Sequence, residues 1–187
     1  MILPIIAYGD PVLKTRAKDI GPDYAELNTL IANMWETMYQ AQGVGLAAPQ
    51  VGLSIRLFII DATPFAEDEP QLEGFKKVFI NADILEESGN EWLFNEGCLS
   101  FPDLREDIYR KPVIRIRYQD ESFNEHEETF DGLAARIIQH EFDHIEGVVM
   151  VDRISVLKRT LIKKKLMNIT RGLVKTTYPM KYSRRTR

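Results

Sequence analysis

The sequence predicts an α+β fold, with mostly antiparallel sheets packed around a buried helix, a further helix near the N-terminus and an amphipathic helix near the C-terminus. Two observations predict this class. Short stretches rich in β-branched and aromatic residues, separated by Gly, Pro and Asp, fill the middle of the chain and are typical of strands. Apolar residues at helical spacing occur in one place before these strands and in two places after them. Because no helical pattern interrupts the strands, they are expected to pair antiparallel.

The first helix is expected to begin after Pro22-Asp23 and to stop at Gly43. Its apolar positions at helical spacing are Leu27, Leu30, Ile31, Met34, Met38 and Ala41. Residues 43–50 are interpreted as a loop of small residues. Strands are predicted at residues 54–61, 77–82, 91–94, 113–118 and 127–130, with an acidic, proline-containing loop at residues 62–74.

Two more helices are expected after the strands. One begins at Gly132, where Asp131 can cap its first turn, and can end at Gly147. The last is an amphipathic helix from residue 155 to about residue 169. Its predicted apolar side consists of Leu157, Leu161, Ile162, Leu166 and Ile169.

The composition is typical of a soluble globular protein, with 44% hydrophobic and 28% charged residues. No stretch approaches the ~20 apolar residues that span a bilayer. The N-terminus has no basic segment and reaches Asp10 too soon for a secretory signal. The single cysteine, Cys98, excludes an intrachain disulfide. We therefore expect a cytoplasmic protein with neither a membrane nor DNA as a partner.

Charge is distributed unevenly along the chain. All 28 acidic residues lie at or before Asp152, whereas eleven of the 24 Lys and Arg residues follow Arg153. An acidic body with a basic C-terminal segment indicates an anionic partner such as RNA. A solvated helix face followed by a frayed terminus explains the same pattern equally well.

The helix predicted from Gly132 contains a His-Glu-x-x-His pattern that indicates a metal site. His140 and His144 lie one turn apart on one face, where a single ion can reach both. On a helical wheel they continue the apolar stripe of Leu133 and Ile137, so they are expected to be buried. Two buried imidazoles without partners would cost about 1–3 kcal/mol each. A shared cation removes that cost.

A catalytic metal site with two histidines needs a third protein ligand, so that water can take the fourth position. Cys98 is the better candidate, because a thiolate is a strong ligand for a borderline-soft divalent ion and Gly97 and Pro102 favour an unusual loop around it. His126 lies in a run of acidic residues that is typical of an exposed strand end. Glu141 lies at the edge of the histidine face and can reach a water without binding the ion.

Three segments resemble, in order, the three signature motifs of the peptide deformylase family. They are GVGLAAPQ at residues 43–50, EGCLS at residues 96–100 and QHEFDH at residues 139–144. The likeness extends from Gly9 to about Leu166. It implies hydrolysis of the N-formyl group from the N-terminal methionine of nascent polypeptides, with release of formate. The chain length and the absence of a linker predict a single catalytic domain at residues 1–170, followed by a basic C-terminal tail at residues 171–187 that can be flexible.

The resemblance implies roles for individual residues. Glu141 is expected to be the general acid/base, and the Gln50 side chain and the Leu99 backbone N–H are expected to stabilise the oxyanion. One divalent ion is expected per chain, ferrous iron in the cell, while zinc, nickel or cobalt can replace it in purified protein. The expected metal ligands are Cys98, His140 and His144.

Substrate-binding and supporting residues are expected around these groups. The bare backbone at Gly43 and Gly45 would let a peptide pair with the loop as an added strand. Apolar walls for the methionine side chain are expected from Val44, Leu133 and Ile137. Behind the ligands, Glu96 and Arg110 are expected to pair and brace the Cys98 loop, and Asp143 to anchor the helix.

Two other functions fit parts of the pattern. A zinc metallopeptidase would also use His-Glu-x-x-His, but would take its third ligand from Glu, His or Asp and cut internal peptide bonds. A non-enzymatic protein that binds a peptide or RNA would have a structural site closed by four protein ligands, and Glu141 would be dispensable. For the enzyme, the expected partners are N-formylmethionyl peptides and the ribosome, which the basic C-terminal segment could contact.

Overall fold

The computed structural model describes residues 1–183, which form three sheets and four α-helices. The strands are β1 (Ile5–Ile6), β2 (Gly45–Ala47), β3 (Leu57–Asp61), β4 (Lys76–Ser88), β5 (Trp92–Gly97), β6 (Arg105–Arg110), β7 (Val113–Gln119), β8 (Glu125–Asp131) and β9 (Met180–Lys181). The helices are α1 (Leu27–Gln40), α2 (Gly132–Ile145), α3 (Val156–Leu161) and α4 (Lys163–Thr170).

Antiparallel pairing dominates the sheets. The largest sheet has five strands in the order β2-β3-β4-β7-β8, and every neighbouring pair in it is antiparallel. Strands β5 and β6 form a separate antiparallel hairpin, and β1 pairs in parallel with β9. The predicted α+β class is therefore confirmed.

Helix α2 packs against the five-stranded sheet and is buried along most of its length. In β7, Ile114, Ile116 and Tyr118 are buried whereas the alternate residues Arg115 and Arg117 are exposed, the period of two expected of a strand with one face in the core. The same core cluster contains Ala134, Ala135, Ile137, Ile138 and Ile145 of α2. Since so much of α2 is buried, its polar side chains must find partners inside the protein.

Several strand predictions need correction. The strand predicted at residues 54–61 begins only at Leu57, and the segment interpreted as a small-residue loop contains β2. Strand β6 was not predicted because four of its six residues, REDIYR, are charged. Its buried positions are Ile108 and Arg110, so a charged residue occupies part of its inner face and conceals the alternation. The two-residue strands β1 and β9 are too short to produce a pattern.

The helix predictions are also corrected in detail. Helix α1 begins at Leu27, several residues after Pro22-Asp23, and the Asp131 side chain makes no capping hydrogen bond to α2. The predicted C-terminal helix is divided at Ile162, whose ψ of 4° is not helical, into α3 and α4. Because the helix is interrupted at Ile162, α3 and α4 do not form one continuous apolar side, and that prediction is wrong. Leu166 and Ile169 are buried, but Leu157 and Leu161 are 71% and 75% exposed.

The C-terminal tail predicted from residue 171 contacts the body as far as residue 183. Strand β9 pairs with β1, and Val174, Met180 and Tyr182 pack against the second core cluster. Residues 184–187 of the predicted tail lie outside the described residues. Within residues 1–183, no helix is long and apolar enough to cross a membrane.

Candidate metal centre

Cys98 lies in the loop that joins β5 to β6. The loop begins with a turn in which the Phe101 N–H donates to the Cys98 carbonyl at 2.8 Å. Phe101 and Leu104 are 1% and 3% exposed and pack into the second core cluster. Two buried apolar side chains thus fix the loop immediately after the cysteine, and they hold the sulfur in place beside α2.

Helix α2 brings the two histidines to this sulfur. The His140 and His144 rings are 5.3 Å apart between centroids, and His144 Nε2 lies 3.3 Å from Cys98 Sγ. One nitrogen from each ring and the sulfur all lie within 4.8 Å of one another. His126 lies elsewhere, on β8, with its Nε2 2.9 Å from Asp120 Oδ2. Cys98, His140 and His144 are the one such group found among residues 1–183.

The chemistry around the histidines fits a cation. His140 Nδ1 lies 2.9 Å from Glu96 Oε2, and because a carboxylate only accepts, Nδ1 carries the hydrogen and Nε2 is left for an ion. In the metal-free protein, burial lowers the pKa of His140, but hydrogen bonds to Cys98 and Glu96 outweigh it and raise the pKa well above its ordinary value. An ion that binds Nε2 would therefore displace a proton from this ring. Burial lowers the pKa of His144 well below its ordinary value, which favours the neutral form that binds metals.

Glu141 is buried between the histidines with one unpaired oxygen. Its Oε2 has no hydrogen-bond partner among the described residues. On the other side the carboxylate rests on the backbone of Gly45, where an added Cβ would collide with Glu141 Oε1. Burial raises the pKa of Glu141 to about 7. The carboxyl can therefore gain and lose a proton near neutral pH, as a general acid/base must.

The Gln50 side chain is oriented towards the sulfur. Its Oε1 accepts from the Ala47 N–H at 2.9 Å, which leaves Nε2 facing the other way. Nε2 donates to Ser100 Oγ at 3.3 Å and lies 3.5 Å from Cys98 Sγ. Gln50 is 1% exposed, so this orientation is held inside the protein. An amide donor is thus presented beside the three candidate ligands.

A cleft of about 580 Å³ opens over these groups. The Gln50, Cys98, His140 and Glu141 side chains line its floor, while His144 lies deeper, outside the lining. All the residues predicted to contact a peptide also line this cleft. So does the residue whose backbone N–H is predicted to stabilise the oxyanion. These are Gly43, Val44, Gly45, Leu99, Leu133 and Ile137.

Behind the site lies a buried network of charges. Arg110 donates to Glu96 Oε1 and Oε2 at 2.7 and 3.0 Å and to Asp143 Oδ2 at 2.8 Å. Arg136 donates to Glu96 Oε1 at 3.0 Å, and Arg153 pairs with Asp143. Burial by itself raises the pKa of Glu96, but hydrogen bonds from His140 and Arg110 outweigh it and keep the pKa well below its usual range. The network links the cysteine loop to the helix that carries the histidines.

Residues 2–160 match the family model of polypeptide deformylase. The chain belongs to the polypeptide deformylase family. It is 60% identical to a peptide deformylase of Flavobacterium johnsoniae and 59% identical to one of Christiangramia forsetii, and each alignment covers at least 96% of both chains.

Solved structures of family members share the fold. A peptide deformylase from Legionella pneumophila is 36% identical, with a TM-score of 0.80 over 92% of this chain and 98% of that one. One from Thermotoga maritima is 42% identical, with a TM-score of 0.75 over 83% of this chain and 99% of that one. The deformylase fold is therefore shared well beyond the most similar sequences.

Four residues that the structure brings to this deformylase site were not predicted from the sequence. They are Ser100, Arg136, Arg153 and Tyr178. Arg136 could have been found, because it lies one turn before His140 on a helix expected to be buried, where a charge needs a partner. Ser100 lies within the EGCLS motif, but no sequence pattern around it indicates its hydrogen bond to Gln50. Tyr178 is 79 residues from the backbone that it contacts, and no local signal reveals such a pairing.

Proposed function

We propose that the cleft above Glu141 is where this peptide deformylase hydrolyses the formyl group of N-formylmethionyl peptides and releases formate. The supporting observation is a buried carboxylate with an unpaired oxygen that lines the same cleft as Cys98 and His140, two of the three converging ligand side chains. Such a carboxylate costs free energy in the folded protein, and its pKa of about 7 suits proton transfer at neutral pH.

Cys98, His140 and His144 would hold the ion. One thiolate and two imidazoles suit Fe²⁺, and also Zn²⁺, Ni²⁺ or Co²⁺; we propose Fe²⁺ in the cell, as the resemblance to the family implies. An ion held there supplies a Lewis acid that makes water acidic near neutral pH and polarises the formyl carbonyl. With three protein ligands, one coordination position would remain for water.

Glu141 would carry the proton. Its carboxylate takes a proton from the attacking water and returns it to the leaving amine, so that formate and a free N-terminus are released. The negative charge on the former carbonyl oxygen would be stabilised by the Gln50 amide and the Leu99 N–H. Loss of one such donor typically reduces the rate about 10²-fold to 10³-fold.

The peptide would lie along β2. This strand is at the edge of the five-stranded sheet, so one side of it is available for an added strand. At Gly43 and Gly45 the missing side chains leave room for Leu99 and Glu141, and the peptide would pair with the bare backbone beside them. Val44, Leu133 and Ile137 line the same cleft and would form the apolar walls for the methionine side chain.

Anaerobically prepared protein loaded with Fe²⁺ is expected to release one formate per N-formylmethionyl peptide and to leave internal peptide bonds intact. The measurement combines a formate assay, mass spectrometry of the peptide and metal analysis, with one ion expected per chain. Removal of the ion by a chelator should stop release, and added Fe²⁺ should restore it. Cleavage of internal bonds would favour a metallopeptidase, and tightly held metal without turnover would favour a structural site.

We further propose that the basic C-terminal segment holds the enzyme on ribosomal RNA in the cytoplasm, near its emerging substrate. Lys163, Lys164 and Lys165 at the start of α4 are all exposed, and no acidic residue follows Asp152. This cluster would meet phosphates, and binding would release counterions from the RNA.

Replacing Lys163, Lys164 and Lys165 with alanine is expected to weaken cosedimentation with ribosomes roughly tenfold or more and to make it less sensitive to salt. A matched control removes three exposed charges elsewhere, at Lys76, Arg115 and Arg117. Equal loss in both variants would show that only net charge matters. Unchanged binding of the α4 variant would contradict the proposal.

A further inference from the structure

We propose that Tyr178 is a positioning residue for hydrolysis, whose hydroxyl anchors the Leu99 carbonyl and so fixes Leu99 beside the reacting carbonyl oxygen. The inference rests on the proposed function, in which the Leu99 N–H stabilises the oxyanion. Tyr178 lies beyond residue 160, where the match to the family model ends.

Backbone pairing determines where Tyr178 lies. We call residues 174–183 the C-terminal strap. The Ile5 N–H donates to the Pro179 carbonyl and the Ala7 N–H to the Lys181 carbonyl, both at 2.9 Å, and these bonds tie the strap to β1. Tyr178 immediately precedes the first of them. Its ring therefore reaches the site from a fixed backbone.

The Tyr178 hydroxyl contacts the loop that carries the metal ligand. It donates to the Leu99 carbonyl oxygen at 2.9 Å, and Tyr178 lines the same cleft as Cys98 and Leu99. Burial raises the pKa of the phenol to about 12, so the hydroxyl remains a donor throughout the working range of the enzyme. The hydroxyl therefore keeps the proton that it donates to the Leu99 carbonyl at neutral pH.

The Leu99 side chain also packs against Gly43. Its Cδ1 lies so close to Gly43 that a Cβ added there would be 2.8 Å away. Leu99 is therefore held at two points, its side chain against the backbone that precedes β2 and its carbonyl by the Tyr178 hydroxyl. A donor to a developing charge is effective only when its position is fixed before reaction, so a clamp on Leu99 acts on the rate.

A second contact keeps the loop folded without the hydroxyl. The Tyr8 N–H donates to the Ser100 carbonyl at 2.9 Å, and the Tyr8 ring lies 4.7 Å from that of Phe101. Tyr8 follows β1 in the chain, so one N-terminal segment binds both the strap and the loop. Removing the Tyr178 hydroxyl should therefore loosen Leu99 without releasing Cys98.

Tyr178→Phe keeps the ring in the cleft and removes only the hydroxyl. We expect kcat for formate release to fall about fivefold to tenfold, while KM stays within about twofold and metal content is unchanged. In the metal-free protein, NMR should show faster hydrogen exchange at the Leu99 amide. The matched control is Tyr182→Phe, because the Tyr182 hydroxyl lies in the same strap but donates to Met180 Sδ at 3.6 Å. This control should behave as wild type in all four measurements.

An unchanged kcat in Tyr178→Phe, or an unchanged exchange rate at Leu99, would overturn the inference. A rise in KM together with a loss of metal would also overturn the inference, since that result would mean that Tyr178 only maintains the structure. Absence of formate release from the wild-type enzyme would instead overturn the proposed function. The two failures are therefore distinguishable in one set of assays.

Discussion

Glu141→Gln is expected to lower kcat for formate release by about 10³-fold to 10⁴-fold and to leave one ion bound per chain. The amide has the size of the carboxyl group and can still rest on Gly45, but it cannot take a proton from water and return it to the amine. Cys98, His140 and His144 are untouched, so metal analysis should match the wild type. Single-turnover formate assays on Fe²⁺-loaded protein measure the change.

The same substitution should stabilise the metal-free protein at alkaline pH. Burial raises the pKa of Glu141 to about 7, above its unfolded value, so the folded state retains a proton that the unfolded chain releases. Stability is therefore lost as pH rises from the unfolded value to about 7, and glutamine avoids this loss. Thermal unfolding at pH 8 should show a higher Tm for Glu141→Gln than for wild type.

The control for both effects is Glu87→Gln, because Glu87 is an exposed glutamate of β4. It should alter neither kcat nor Tm. A Glu141→Gln enzyme with wild-type turnover would contradict the proton-transfer role, and one that had lost its metal would indicate a ligand.

The helix that carries the histidines could be predicted from sequence because its evidence is local. His140 and His144 are one turn apart, and the apolar stripe of Leu133 and Ile137 shows which side faces the core. Cys98 was favoured as the third ligand by its thiol chemistry and by Gly97 and Pro102 around it, and the family resemblance added support from outside the local pattern. A thiol 42 residues from the first histidine has no periodicity that links the two.

Features that depend on long-range pairing could not be predicted from local patterns. Strand β6 places Arg110 on its inner face. This charge interrupts the apolar alternation that would have predicted a strand, and it pairs with Glu96 and Asp143. The predicted C-terminal helix was wrong as one continuous element. Its apolar spacing continues past Ile162, but the backbone turns there and leaves Leu161 exposed. In β6, tertiary contacts override the local pattern.

Arg110→Met is expected to lower the free energy of unfolding by about 3–5 kcal/mol. Arg110 is 3% exposed, and removal of its guanidinium deprives two buried carboxylates, Glu96 and Asp143, of their shared partner. Burial lowers the pKa of Arg110, but hydrogen bonds and attraction from those carboxylates outweigh it and raise the pKa above its usual range. Urea unfolding of the metal-free proteins isolates this effect from loss of the ion.

Arg115→Met is the matched control, because Arg115 is also a strand arginine that donates to a glutamate, Glu127, at 2.6 Å. That pair is exposed to water, and its loss should leave the free energy of unfolding nearly unchanged. A similar small change in both variants would mean that Arg136 and Arg153 neutralise the buried carboxylates without Arg110. A large loss in Arg110→Met alone would show that the charges behind the metal ligands act as one unit. In that case the position of His140, which rests on Glu96, depends on an arginine that never reaches the cleft.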